Sequence, residues 1–318
     1  MTPTTALIVR CYNEEAHIGR LLTGALRQTH APDEIIVVDS GSSDATLAIA
    51  SAFPVQIVHI EPSEFSFGRA LNLGLEAASS DLAVLASAHV YPLYDSWIKR
   101  LIAPFERPDV ALSYGRQQTP PGGRFSEQQL MARWFPSRSV ETQRHPFCNN
   151  ANAAIRRSFW ENEPYDETLT GLEDLDWAKR AIDRGMFLSY VAEAPVIHVH
   201  DESFWQVLNR YQREAIAHKR IYKDQEMRLS TAVRLGVANI VEDVREARKR
   251  DVLRGHLADI PLFRVAQFYG TYRGFAQKGP VPDLLRRRFY YPPEQSDVPY
   301  NERPAGRLID YDEPVRTA

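Results

Sequence analysis

Glu34-Ile35-Ile36-Val37-Val38 runs without a break into Asp39-Ser40-Gly41-Ser42-Ser43-Asp44. An apolar, β-branched run of this kind has no polar face, so it belongs to a strand covered on both sides, as inside a parallel sheet. Parallel strands need long crossovers, usually helical, and these are right-handed. The neighbouring pattern supplies them. Residues 6–9 are a short apolar run, and Asn13-Glu14-Glu15 opens a helix with Ile18, Leu21, Leu22 and Ala25 on one face. Pro32-Asp33 breaks the chain before the second strand. Residues 45–53 and 68–78 then read as helices, and 55–60 and 82–86 as strands. Such alternation predicts an α/β domain whose ligands sit beyond the carboxyl ends of the strands.

Further on, residues 117–145 are rich in Pro, Gly, Arg and Gln and read as a loop or lid. A helix is expected after Glu173 and a strand over 190–200. From Ser203 the pattern turns helical and charged, through Trp205, Val207, Leu208, Tyr211, Ala215 and Ile216, then over 233–249. The tail from Pro292 reads as irregular. A net charge of −3 gives no basic field for nucleic acid. Cys11 and Cys148 are the only cysteines, so a disulfide framework is not expected and a reducing cytoplasm fits. No signal-like start is present, and no apolar run approaches the ~20 residues of a membrane span.

Several segments, in order and spacing, resemble glycosyltransferase family 2. They are Val9-Arg10-Cys11-Tyr12-Asn13-Glu14-Glu15, Ile36 through Asp44, Gly68-Arg69-Ala70-Leu71-Asn72-Leu73-Gly74, residues 85–92, Asn149-Asn150-Ala151-Asn152-Ala153-Ala154-Ile155, and Gly171-Leu172-Glu173-Asp174-Leu175-Asp176-Trp177. The resemblance implies a GT-A fold, a Rossmann-like mixed sheet flanked by helices, with a helical C-terminal extension. It implies a catalytic domain over 1–202, with the nucleotide-sugar side in 1–115 and the acceptor side in 116–202, and an extension with an irregular tail over 203–318. The implied activity is transfer of a hexosyl or deoxyhexosyl group from a nucleoside-diphosphate sugar, with inversion. The acceptor would be a hydroxyl on a sugar or lipid-linked molecule, in surface polysaccharide or glycolipid assembly. The implied location is cytoplasmic, with peripheral contact on the inner face of the membrane.

Residue by residue, two readings stand side by side. Tyr12 and Glu14 line the nucleotide pocket in the family, with Arg10 just before them; on residues alone they belong to a helix cap with favourable first-turn carboxylates. Asp39 contacts the nucleotide in the family; otherwise it serves a tight Asp-Ser-Gly turn. Arg69 at a helix start can bind phosphate or a base edge, or stand free in solvent. Asn150 is expected to line the sugar or acceptor site. Asp174 is the expected catalytic base, with Glu173 and Asp176 supporting it; the alternative is a plain acidic helix start.

One departure stands out. The family's Asp-x-Asp is replaced by Ser87-Ala88-His89, with Ser87 at a nucleotide-sugar position. Either His89 is a metal ligand, joined by His198 and His200 from an alternating His-x-His, or no metal binds and His89 or an arginine donates directly to the diphosphate. Imidazole ligands suit Mn²⁺ better than Mg²⁺, which prefers oxygen. In the C-terminal third, aromatics interleave with arginines over residues 204–221, 268–274 and 284–291. That pattern suits an anionic membrane surface, a second copy of the chain, or a packed helical subdomain. The rival to a transferase is a non-catalytic sugar-nucleotide binder with a degenerate metal site. A nucleotidyltransferase would want a Gly-rich phosphate loop after the first strand, and Tyr12-Asn13-Glu14-Glu15 is not one.

Overall fold

The computed structural model describes residues 3–279 and 308–311. Nine strands form one mixed sheet: β1 (Thr5–Cys11), β2 (Glu34–Asp39), β3 (Gln56–His59), β4 (Leu82–Ser87), β5 (Val90–Pro92), β6 (Val110–Gln118), β7 (Val140–Gln143), β8 (Asn152–Arg156) and β9 (Phe187–His198). Their order is β3-β2-β1-β4-β8-β6-β9-β5, with β7 also paired to β9. The first four strands are mutually parallel, while β8 runs antiparallel between β4 and β6. The helices are α1 (Ile18–Leu26), α2 (Thr46–Ala50), α3 (Phe67–Ala77), α4 (Trp97–Ile102), α5 (Phe125–Trp134), α6 (Arg157–Trp160), α7 (Glu173–Asp183), α8 (Phe204–Ile221), α9 (Leu229–Lys249), α10 (Leu253–His256) and α11 (Asp259–Ala276).

The buried run of β2 explains the layering. Ile36 and Val38 face one core with α3, and Ile35 and Val37 face the other with α1, so the strand is apolar on both sides. Helix α3 starts where Ser66 caps it, its hydroxyl accepting from the Arg69 N–H at 3.1 Å. Helix α8 opens on a reciprocal capping box between Ser203 and Gln206.

The structure corrects three local expectations. Asn13 does not open a helix: it has φ 51°, and α1 begins only at Ile18. Residues 117–145 are not all loop, because α5 and β7 lie within them. Leu130 and Met131 are buried there, under the C-terminal helices and against the sheet core respectively. The last strand ends at His198, so His200 lies beyond it.

The C-terminal helices pack on α5. Phe125, Ala247 and Ile260 form one small core, and Leu130, Val207, Leu208, Tyr211, Phe263 and Ala266 another. Helix α11 lies close on α8 because a Cβ at Gly270 or Gly274 would meet the carbonyl oxygens of Leu208 or Gln212 at 2.4 Å. A buried Arg264–Asp243 pair (2.7 Å) and the Ser126 hydroxyl, donating to Asp243 at 2.6 Å, tie α11, α9 and α5 together. Of the tail, residues 308–311 lie against the β5 region, where the Tyr311 hydroxyl donates to the Pro92 carbonyl at 2.6 Å. Residues 284–291, named above for their aromatics and arginines, lie outside the described residues. Among the described residues no helix is long and apolar enough to cross a membrane.

Candidate active site

The site builds on the carboxyl ends of β1, β2 and β4, where Arg10 stands level with Ser87 and Cys11 level with Asp39. The loops after β1 and β2 are laced together. Asn13 accepts from the Ser43 N–H (2.8 Å), the Glu14 N–H donates to Thr46 Oγ1 (2.6 Å), and Glu15 accepts from the Ala45 N–H (2.8 Å). This lacing, not a helix cap, is what Asn13-Glu14-Glu15 does.

Three histidines meet beside this edge. One ring nitrogen from each of His89, His198 and His200 lies within 4.8 Å of the others. His89 stacks on His198 with ring centres 5.0 Å apart, and the His198 and His200 centres are 4.0 Å apart. Each Nδ1 faces an oxygen acceptor: Glu14 Oε1 for His89 (2.6 Å), Gln117 Oε1 for His198 (2.7 Å) and Glu127 Oε1 for His200 (2.7 Å). Those acceptors fix a proton on Nδ1, so Nε2 is the nitrogen that carries the lone pair when a ring is neutral. Burial lowers His89, but the charge and hydrogen bond of Glu14 outweigh it and shift His89 above the ordinary histidine range. His198 Nε2 is buried with no hydrogen-bond partner among the described residues. Burial, together with the charges of His200, His89 and Arg210, pushes His198 well below the ordinary histidine range and keeps it neutral. Glu127 also receives Arg210 of α8 at 3.4 Å, and Arg210 pairs with Glu202 at 2.7 Å. Burial opposes the charge on Glu202, but the Arg210 guanidinium outweighs it and holds Glu202 down at about 2.

The second half of the site is the start of α7. Leu172, at φ 54°, turns the chain so that Glu173 and Asp174 enter the first helical turn. Glu173 is buried and bound to Arg10 at 3.0 Å. Asp174 accepts from the Leu175 N–H (2.8 Å) and the Asn150 N–H (3.3 Å). Burial, with the neighbouring Glu173 charge, raises Asp174 to about 7 despite those hydrogen bonds and Arg10. Asn150 is buried, and its Nδ2 has no partner among the described residues. Arg10 links the halves: it binds Glu173, and its charge reaches Asp174 on one side and His89 and His198 on the other.

The remaining sequence-picked residues fall differently. Asp39 is buried, and its carboxylate accepts from the Gly41 N–H (3.0 Å) and the Ser42 N–H (3.2 Å), so it builds its own turn. Arg69 is neither free in solvent nor open to phosphate. It is clasped by Glu64 (3.2 Å) and Glu167 (3.3 Å). Asp176 pairs with Arg180 (2.9 Å) and supports the helix. Tyr12 and Ser87 are half-buried at the strand ends. Sequence reading missed Gln117, Glu127, Glu202 and Arg210. For Glu127 the available signal was the Leu130, Met131 and Trp134 spacing, which marks a helix inside the segment read as loop.

The sequence profile described as Glycosyl transferase family 2 matches residues 6–162. The chain is 30% identical over 231 residues to the O-antigen chain rhamnosyltransferase WbaN of Salmonella anatum, covering 68% of this chain and 72% of that protein. The chain is a member of glycosyltransferase family 2. It is therefore a glycosyltransferase. A second relative, the O-antigen chain rhamnosyltransferase RfbN of Salmonella typhimurium, is 29% identical over 67% of this chain and 71% of its own. Among solved structures, the mannosyltransferase PcManGT of Pyrobaculum calidifontis, in complex with GDP-Man and Mn²⁺, superposes with a TM-score of 0.59 at 16% identity. That match covers 92% of this chain and 89% of the other. Glucosyl-3-phosphoglycerate synthase of Mycobacterium tuberculosis, in complex with Mn²⁺, UDP and glucosyl-3-phosphoglycerate, gives a TM-score of 0.53 at 20% identity over 71% of this chain and 82% of the other. These neighbours share the GT-A fold, so the expected fold class holds.

Proposed function

We propose that this glycosyltransferase moves a hexosyl or deoxyhexosyl group from a nucleoside-diphosphate sugar to a hydroxyl of a sugar or lipid-linked acceptor, with inversion. The observation that carries the reading is the meeting of three histidines, one ring nitrogen of each within 4.8 Å of the others, with a carboxyl group poised near neutrality, joined by Arg10. Asp174 takes the acceptor hydroxyl proton while that oxygen attacks the anomeric carbon. The bond to the diphosphate breaks on the opposite face and its electrons leave with the nucleoside diphosphate. A general base works best with a pKa near the working pH, and about 7 meets that condition. Asn150 Nδ2 is a free donor beside the base, suited to an acceptor or sugar hydroxyl. Glu173 is assigned to positioning, because its carboxylate is held by Arg10.

His89, His198 and His200 fit a divalent cation: their Nδ1 atoms are anchored, and the orphaned Nε2 of His198 lacks a partner that a metal would supply. A cation there would offset the charge of the diphosphate leaving group. The imidazole set favours Mn²⁺ over Mg²⁺. Asp39 shapes, and Tyr12 and Ser87 line, the nucleotide end. Arg69 is assigned to holding the α3 start, and Glu14 to orienting His89. The domain division at residue 202 is retained as a boundary of function rather than of packing, since α5 shares its core with the extension. The names of the two Salmonella relatives support a place in surface polysaccharide assembly and a deoxyhexosyl donor. Cytoplasmic location, on the side where nucleotide sugars are made, belongs to the same proposal.

The test is a screen of nucleoside-diphosphate sugars by thermal shift and by donor turnover, with Mn²⁺ or with excess EDTA. Stabilisation and turnover with Mn²⁺, both lost in EDTA and in His89→Ala, support the reading. Full turnover in EDTA rejects the metal. Donor binding with no hydrolysis or transfer to any acceptor favours the non-catalytic binder.

A further inference from the structure

Strand β5 stands last in the sheet order, with β9 as its neighbour. An edge strand offers backbone groups along its outer side. The C-terminal segment 308–311 takes that side up. Leu308 bridges antiparallel to Tyr94 just past β5, and the Ile309 N–H donates to the Leu93 carbonyl at 3.4 Å. Two residues on, the Tyr311 hydroxyl reaches the carbonyl of Pro92.

Tyr311 has a prepared seat. A Cβ at Gly24 of α1 would meet the Tyr311 hydroxyl oxygen at 2.7 Å and Pro92 Cγ at 2.9 Å, so the tyrosine fits because position 24 carries no side chain. Its ring meets Tyr91 edge-on, with centres 5.8 Å apart. Arg20, one turn earlier on α1, is exposed, yet its guanidinium carbon lies 4.2 Å from the Tyr91 ring centre and 4.8 Å from that of Tyr311. A cation shared by two rings ties the helix to both.

These contacts join two elements that carry the two partners of one hydrogen bond. Glu14 stands just before α1, and its carbonyl accepts the N–H groups of His17 and Ile18 at 2.9 Å each. His89 stands directly before β5. The two side chains meet at 2.6 Å, Glu14 Oε1 to His89 Nδ1. Past the far end of α1 the chain is fastened separately, by Gln28 Nε2 donating to the Tyr94 carbonyl at 3.1 Å. Arg20 acts at the near end, the one that carries Glu14.

We propose that residues 308–311 are a strap that holds α1 to β5, and that Tyr311 and Arg20 are positioning residues for the Glu14–His89 contact. The consequence for metal rests on the assignment of His89 as a ligand above; the strap itself does not. A ligating histidine needs its ring held, and the group that holds this ring is itself held by the strap.

Two measurements test this on the full chain. Hydrogen exchange without metal should quicken about fivefold in Tyr311→Ala over residues 14–21 and 88–94, and stay unchanged over α7. Calorimetry of Mn²⁺ in the presence of UDP, GDP or dTDP should show about tenfold weaker binding in Tyr311→Ala, the low end of what loss of a ligand's partner costs. Tyr311→Phe keeps the ring against Arg20 and should retain most of the affinity, while Arg20→Ala should reproduce the loss. In a Glu14→Ala background Tyr311→Ala should add no further loss, because the contact it positions is gone. An equal loss in that background would mean that Tyr311 acts through general stability, and overturns the proposal. So does full Mn²⁺ affinity in Tyr311→Ala, or exchange that does not change over the two segments. If wild type binds no Mn²⁺ with any of the three nucleotides, the metal reading fails, and quickened exchange confined to the two segments still upholds the strap.

Discussion

Replacing Asp174 with Asn removes the proposed base and a titration at once, and the two effects have opposite signs. A carboxylate raised from its ordinary 3.8 to about 7 is ionised for roughly 9% of molecules at pH 6 and about 91% at pH 8. Wild-type kcat/KM should therefore climb about tenfold between those values at saturating Mn²⁺. Asp174→Asn should lower kcat by ~10²-fold or more, and the residual rate should lose the limb near pH 7. Stability moves the other way. The raised pKa means that ionisation works against folding. That cost is absent below about pH 4, grows as pH rises to about 7, and is constant above. Three pKa units correspond to about 4 kcal/mol. Asp174 is only half-buried and solvent screens part of this, so about 2 kcal/mol is expected. Asp174→Asn should thus match wild type in urea unfolding at pH 4 and exceed it by about 2 kcal/mol at pH 8. Near-wild-type turnover in the variant, or a wild-type limb centred near pH 4–5, would refute the assignment.

Glu127→Ala deprives His200 of its Nδ1 acceptor, so Mn²⁺ affinity measured by calorimetry with nucleoside diphosphate should fall ~10–100-fold. Peripheral membrane contact should run through α9 rather than through α8, because Tyr211 is buried and Trp205 is the only exposed aromatic of α8, whereas Leu229, Val233, Val237 and Val241 are exposed at intervals of four, beside exposed Arg234, Arg245 and Arg248. Sedimentation with phosphatidylglycerol vesicles at low salt should carry the wild type down and leave Val233→Glu/Val237→Glu in the supernatant; equal behaviour of the two would remove α9 as the contact.

The sheet was legible because its strands carry their own signature. The apolar run of β2 and the Asp-Ser-Gly turn after it locate a parallel strand and the edge where ligands gather, with no tertiary information. Asp174 and the histidines were picked out as candidates by a different route, the ordered motifs, since neither a helix-start aspartate nor a lone histidine is distinctive alone. What the sequence did not disclose depends on contacts between distant residues. Glu127 lies 73 positions from His200, and Glu14 lies 75 from His89. The fate of Arg69 was equally hidden, because Glu167, which neutralises it, lies 98 positions away. Helix α5 was misread because its surroundings are rich in Pro and Gly, while its burial comes from the C-terminal helices over Phe125 and Leu130 and from the sheet core over Met131. Local composition therefore carries the elements, and long-range pairing decides which polar residues remain available for chemistry.

The same logic predicts how a return to the family pattern would behave. Ser87-Ala88-His89 invites repair of the second position to aspartate. Yet Glu14 stands 2.6 Å from His89 Nδ1, and it is suited to a ring N–H, not to another anion. His89→Asp would put two carboxylates in one neighbourhood. At a separation of about 5 Å and an effective dielectric of about 20 they repel by about 3 kcal/mol, roughly two orders of magnitude in the availability of the ionised ligand. His198 and His200, held by Gln117 and Glu127, would not move to compensate. His89→Asp alone should therefore lose as much Mn²⁺ affinity and transfer activity as His89→Ala. Adding Glu14→Gln removes the competing charge and lets the amide donate to the new carboxylate. The double variant should recover to within about tenfold of wild type, as expected when a repulsion of that size is relieved. A fully active His89→Asp single variant would mean that Glu14 does not set the chemistry at this position. A double variant as weak as the single would mean that the imidazole itself, and not its partner, is what the site requires.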